Sequence, residues 1–249
     1  MFDARLLDGE AVLITGASAG IGRETARLAA AAGADVSLAA RREERLEDLA
    51  EELEREHDCT ALALPTDVRE SGAVADLVST TVEAFGGLDV AVANAALGVG
   101  SAVEELSDEE YHLMMDVNTD GVFFTAREAL PHLRESAGHL VVVGSFAAEY
   151  PRPGNPVYAA SKAWARSFAH SLEAQVGDDG LAVSVVNPSE VRTEFGRQAE
   201  RGPAKERLEA GEVSEPEAVA EAVIFAATRD SPDTASEIDL YRRDKFTHF

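Results

Sequence analysis

Thr15-Gly16-Ala17-Ser18-Ala19-Gly20-Ile21-Gly22 follows the apolar run Ala11-Val12-Leu13-Ile14 and leads into Arg23-Glu24-Thr25-Ala26, which reads as the start of a helix. A glycine cluster by itself marks an ordinary turn as readily as a binding loop. Set between a strand and a helix, it lets backbone approach a pyrophosphate closely, at the free N–H groups and positive dipole end of a helix N-terminus. On this reading Gly16, Ser18, Gly20, Ile21 and Gly22 form a phosphate-binding turn.

Outward from that turn, short β-rich runs alternate with longer helix-period runs from residue 11 to about 241. Strands are expected at 11–15, 35–40, 60–64, 88–93, 139–144, 181–187 and 236–241. Between them lie helices such as the one carrying Leu46, Leu49 and Leu53 at i, i+3 and i+7. The pattern predicts an α/β fold, a single Rossmann-type domain over residues 1–249 whose doubly wound parallel sheet of about seven strands has helices on both faces. The least regular stretch, 195–212, is rich in Arg, Glu and Gly and is expected to be a mobile segment over a site.

Composition narrows the function classes. Asp and Glu number 46 against 22 Lys and Arg, a net charge of -24, so nucleic acid and anionic membrane are poor partners. No apolar run approaches the length of a membrane span and the first residues lack a secretory core, so the expected location is the cytoplasm. The single cysteine, Cys59, excludes an intrachain disulfide, and the histidines show no zinc-helix spacing, so no metal is expected. The acids are spread through helices and the lysines are limited to Lys162, Lys205 and Lys245. That balance resembles proteins of salt-loving organisms.

Two groups of residues suggest chemistry. At the end of the second strand Ala40 stands where an acid would hold ribose hydroxyls, and Arg41-Arg42 follow. Two solvated arginines opening a helix would read the same, but the combination favours a 2′-phosphate and therefore NADP(H) over NAD(H), with Arg41 the better candidate. Further on, Asn155-Pro156 supplies a capping residue and a first-turn proline, which puts Tyr158 and Lys162 at i, i+4 on one helix face. Such a pair is usually a surface pair. Beside an ammonium, however, a phenol becomes a usable acid–base group. Ser145, at the carboxyl edge of the apolar strand ending in Val143-Gly144, is either a turn serine or a donor to a substrate oxygen. Asn118, a poor helix former followed closely by Gly121, marks a local helix break expected to hold a water near Lys162.

The Thr15 turn with Gly-x-x-x-Gly-x-Gly spacing, together with Asn118, Ser145, Tyr158 and Lys162 in that order, resembles the short-chain dehydrogenase/reductase family over nearly the whole chain. The resemblance implies an Asn–Ser–Tyr–Lys tetrad in which Tyr158 is the general acid/base of hydride transfer and Lys162 also holds the nicotinamide ribose. It implies that Asp67-Val68 contacts adenine, although Asp67 with Glu70 also reads as a helix capping pair. Asn94 leads Asn94-Ala95-Ala96, where the family commonly has Asn-Ala-Gly, and is carried over as a cofactor contact. Pro188-Ser189-Glu190-Val191-Arg192-Thr193 resembles the family's Pro-Gly-x-x-x-Thr, so Pro188, Val191 and Thr193 are expected at the nicotinamide. The resemblance also implies a homodimer or homotetramer paired through Phe124, Leu130, Trp164, Phe168 and Leu172.

The expected function is NADP-dependent oxidation and reduction of a small secondary alcohol or carbonyl. The C-terminal stretch 236–243 is similar to the branch acting on short hydroxy acids, and Arg152 or Arg192 could pair with a substrate carboxylate if either is not simply solvated. The alternative is a catalytically silent NADP-binding sensor or scaffold on the same fold. A nucleotide-sugar epimerase or dehydratase fits less well with a short chain lacking a separate substrate domain.

Overall fold

The computed structural model describes residues 6–150, 152–196, 203–229 and 231–247. Its strands are β1 Ala11–Thr15, β2 Asp35–Ala40, β3 Ala61–Pro65, β4 Val90–Ala93, β5 His139–Val143, β6 Ala182–Pro188 and β7 Glu237–Leu240. Every strand lies where the apolar runs put it, with ends shifted by no more than about two residues. The helices are α1 Gly20–Ala31, α2 Glu43–Glu56, α3 Ser71–Phe85, α4 Asp108–Met115, α5 Gly121–Ser136, α6 Pro156–Val176, α7 Ala204–Arg207 and α8 Pro216–Ala227.

All strand pairs are parallel, in the order β3-β2-β1-β4-β5-β6-β7. The strand order reverses between β1 and β4, which opens a crevice at their carboxyl ends. Residues of β1 are buried throughout because helices cover both faces of the sheet. Val12 and Ile14 face a core with α1, α2 and α8, whereas Leu13 faces one with α3, α5 and α6. This is the period of two that a pleated strand imposes. Leu46, Leu49 and Leu53 are all buried along α2, as their spacing requires.

Two local expectations, at Asp67 and Asn155, are corrected by the structure. Asp67 and Glu70 are not a capping pair: α3 begins at Ser71 without a side-chain cap, and Asp67 accepts instead from the Arg69 N–H at 3.1 Å and from its guanidinium at 2.6 Å. Asn155 precedes α6 without a side-chain cap bond, although Pro156 does occupy the first turn. The break around Asn118 is a single π-helical turn, Asp116–Asp120, joining α4 to α5. Of the segment 195–212, residues 197–202 lie outside the described residues. The flanking part forms α7, with the Ala204 and Lys205 N–H groups donating to the Phe195 and Thr193 carbonyls at 3.1 and 2.9 Å.

Leu53 is 1% exposed in the core beneath α2. Leu53→Ala is expected to lower unfolding stability by about 2–5 kcal/mol, read as a shift in the urea midpoint at unchanged m-value; a shift below about 1 kcal/mol would mean that α2 contributes little to the core.

Candidate active site

The crevice between β1 and β4 is closed at its base by a clasp. Thr15 Oγ1 donates to the Val92 carbonyl at 3.2 Å and accepts from the Asn94 and Ala95 N–H groups at 3.0 and 3.2 Å. Asn94 Nδ2 donates back to the Thr15 carbonyl at 2.8 Å. A Cβ on Gly16 or Gly22 would stand 2.7 or 2.5 Å from that same Nδ2, so two of the turn's glycines are required by the protein's own packing. Ala19 precedes α1 with no side-chain cap, leaving the helix's first N–H groups for a ligand. Ala96 and Ser189 stand where the family has glycine; among the described residues only Ala137 is a non-glycine at positive φ, so neither position is strained.

Over this base lies a cleft of about 910 Å³. Its walls bring together Gly16, Ser18, Gly20, Ile21, Arg41, Asp67, Val68 and Asn94 with Ser145, Tyr158, Lys162, Pro188, Val191 and Thr193. Gly22 and Asn118 are not on the wall but stand behind it. Arg41 is exposed on the cleft rim, while Arg42 is the arginine tied to the glycine turn. Ser18 Oγ accepts from Arg42 Nε and Nη2 at 3.0 and 2.8 Å, and Glu194 accepts from Arg42 Nη1 at 2.8 Å. Glu194 also accepts from Lys205 and Arg45, and these cations hold its carboxyl far below the usual range. Sequence adjacency could not separate Arg41 from Arg42, because the partner, Glu194, lies some 150 residues away.

Lys162 is 2% exposed and donates from Nζ to the Val143 carbonyl at 2.8 Å. Burial pushes its ammonium down to about 8. The phenol of Tyr158 is pushed above its ordinary value, chiefly by burial, against the opposing effects of a hydrogen bond from Ser145 and the charge of Arg152. The expected lowering of the phenol by the ammonium is therefore not what this site does: desolvation outweighs the favourable neighbours, and Lys162 is bonded to backbone.

Ser145 is fixed through residues that the sequence did not single out. Its N–H donates to Asn187 Oδ1 at 3.1 Å, and Asn187 Nδ2 donates to Glu237 at 2.5 Å and Asp239 at 3.1 Å on β7. A Cβ on Gly144 would stand 2.1 Å from Asn187 Oδ1, which excludes any larger residue there. The side-chain amide of Asn118 is bonded to protein on both its atoms. Nδ2 donates to the Leu97 carbonyl at 2.8 Å and to Ser161 Oγ at 3.0 Å, and Oδ1 accepts from the Leu97 N–H at 2.9 Å. It thereby pins the cleft wall at Leu97 to the residue preceding Lys162.

Two hydroxyls and a buried ammonium thus converge on a cleft that can hold and protonate a polar oxygen. The buried charge has a measurable cost. Lys162 has a folded-state value of about 8 against an ordinary 10.5, so its penalty is full below about pH 8 and fades as pH rises toward 10.5, where the unfolded chain also loses the proton. Lys162→Met is expected to stabilise the protein by about 1–3 kcal/mol at pH 7, with the gain shrinking toward pH 10. A variant that melts lower at pH 7 would show that the ammonium's bond to Val143 outweighs its desolvation.

The chain matches the family model described as short chain dehydrogenase over residues 10–204. It is 31% identical over 236 residues to an uncharacterized oxidoreductase of Staphylococcus aureus (strain USA300), covering 94% of this chain and 98% of that one. Among solved structures it is similar to an alcohol dehydrogenase from the archaeon Thermococcus sibiricus complexed with 5-hydroxy-NADP. There the identity is 32%, the TM-score 0.84, and the coverage 93% of this chain and 96% of that one. It is likewise similar to a 3-ketoacyl-(acyl-carrier-protein) reductase from Brucella melitensis complexed with NADH, with 28% identity, TM-score 0.83 and coverage of 94% and 98%. With its sheet order, its glycine turn and these relatives, the chain belongs to the short-chain dehydrogenase family of oxidoreductases.

Proposed function

We propose that the protein is an NADP-dependent carbonyl reductase or secondary-alcohol dehydrogenase. The observation that carries this reading is the meeting of Ser145, Tyr158 and the buried Lys162 in one cleft with an uncapped helix N-terminus. A nicotinamide cofactor bound there supplies or accepts the hydride. Gly16, Ser18, Gly20, Ile21 and Gly22 offer its pyrophosphate a backbone cradle. Arg41 on the cleft rim and Arg42, which already holds the Glu194 carboxylate, suit a 2′-phosphate. Asp67, Val68 and Asn94 would hold the adenosine end and Pro188, Val191 and Thr193 the nicotinamide end, all of them residues of the cleft wall.

In the reductive direction Tyr158 donates its proton to the substrate oxygen as negative charge develops there, and Ser145 donates a second hydrogen bond to the same atom. The Lys162 ammonium, one turn further along α6 and bonded to the Val143 carbonyl, would hold the cofactor ribose. Asn118 keeps the Leu97 wall in register with this helix. In the oxidative direction the phenolate takes the alcohol proton. A phenol raised by burial stays protonated at neutral pH, the form that reduction requires, so alcohol oxidation should climb steeply into alkaline pH. Phe195, with its ring 5.3 Å from that of Tyr158, and α7 beside it would cover the site.

The test is NADPH and NADH oxidation against a panel of aldehydes, ketones and oxo acids. Tyr158→Phe is expected to cut kcat by about 10²–10⁴-fold. Arg41→Ala and Arg42→Ala should raise the KM for NADPH about tenfold or more while moving that for NADH little. Tight NADPH binding with no turnover above the Tyr158→Phe level would replace this reading with the sensor.

Assembly and salt response form part of the same reading. On α5 and α6, Phe123 and Trp164 are each 39% exposed, and Trp164 stacks on Phe168 at 5.0 Å. Leu172 belongs to the core instead. This face suits a homodimer or homotetramer. The acid-rich surface suits a salty cytoplasm, so melting temperature is expected to rise in molar potassium chloride, and light scattering there to give an oligomeric mass. A melting temperature no higher there than in dilute buffer would contradict the salt adaptation.

A further inference from the structure

We propose that the carbonyl substrate carries a carboxylate, and that Arg152 binds it with Glu190 and Lys245 as its positioning pair. The inference rests on the reductase reading above and adds the substrate class. Of the two arginines that the sequence offered as carboxylate partners, Arg192 is held by both oxygens of Glu215 at 2.8 and 3.0 Å and is not on the cleft wall. Arg152 is on that wall, and its charge is the one that acts on the Tyr158 phenol.

The surroundings of Arg152 are those of a cation kept available. Its Nη2 donates to Glu190 Oε1 at 3.0 Å, and the rest of its guanidinium has no hydrogen-bond partner among the described residues. Glu190 is engaged more fully elsewhere. Lys245, from the chain beyond β7, donates to both of its oxygens at 2.8 and 2.5 Å. Both cations also lie over the buried ring of Phe146, Arg152 at 4.9 Å and Lys245 at 4.4 Å from its centroid. Two positive charges thus share one carboxylate, with Arg152 and Glu190 on the cleft wall and Lys245 off it. A guanidinium on a cleft wall whose carboxylate partner is also held by a second cation keeps free N–H groups in the planar fork that suits a carboxylate. Lys245 matters because it satisfies Glu190, which would otherwise claim Arg152 for itself. The acid that results from this geometry is an oxo acid on reduction and a hydroxy acid on oxidation.

The probes are short 2-oxo and 3-oxo acids, each paired with its methyl ester. Their KM values are read by NADPH oxidation. Their binding is read by calorimetry on the Tyr158→Phe variant loaded with NADP+, which needs no turnover. At least one acid is expected to bind about tenfold or more tightly than its ester. Arg152→Met should bring that ratio close to one and Arg152→Lys should restore part of it. Lys245→Met should lower the ratio, with rescue by Lys245→Arg, while kcat moves less than KM. Esters that bind as well as acids, or an acid preference that survives in Arg152→Met, would overturn the proposal. If neutral carbonyls still turn over in a Tyr158-dependent way, the reductase reading stands without it. Selective acid binding through Arg152 with no turnover would uphold the proposal and remove the reductase reading.

Discussion

The Thr15–Asn94 clasp is the constraint on which the site depends. Adjacent parallel strands in this sheet are joined by hydrogen bonds along their length, but β1 and β4 diverge at their carboxyl ends because the chain leaves them toward opposite sides. One hydroxyl and one amide carry the pairing past the last strand residue and satisfy backbone groups that would otherwise be buried unpaired. The glycine turn is then shaped against Asn94, with no room for a Cβ at Gly16 or Gly22. The shape of the turn is therefore set by the protein's own packing.

The opposite wall is built from buried polar groups, each of which costs free energy unless its hydrogen bonds are made. Asn118 places its amide on Leu97 and Ser161. Asn187 links Ser145 to β7, and Glu237 in turn is held by Arg166 at 2.5 Å and by His170 at 3.1 Å. Lys162 is the exception in kind: a fully charged group would be disfavoured at such depth, and its lowered value records that strain. Stability is given up at a residue of the cleft wall.

Charge follows a different logic at the surface and in the cleft. The acids are dispersed over solvent-facing helices, as on α2, where Glu43, Glu44 and Glu47 are exposed. Along the cleft the basic residues gather instead: Arg41 and Arg42 at the end of β2, Arg152 opposite, Lys162 at the floor. A dinucleotide is an anion, and a strongly acidic protein binds one only by concentrating its few cations where the phosphates lie. Glu194 offsets the charge of Arg42 within that group.

Sequence alone determined what is local or periodic. The strand runs, the apolar stripe of α2, the turn between β1 and α1, and the Tyr158–Lys162 spacing on one helix face were legible because each depends on residues within a turn or two of one another. The tertiary structure decided everything that depends on distant partners. It tied Arg42 rather than Arg41 to the glycine turn through Ser18 and Glu194, bonded the Asn118 amide to Leu97 and Ser161, and removed Arg192 from the cleft by pairing it with Glu215. It also reversed the expected shift of the Tyr158 phenol, since proximity to an ammonium is visible in spacing but burial is not. Spacing fixes which side chains can share a face, whereas desolvation and long-range pairing are set by chain segments tens to hundreds of residues away, and these appear only when the sheet has brought them together.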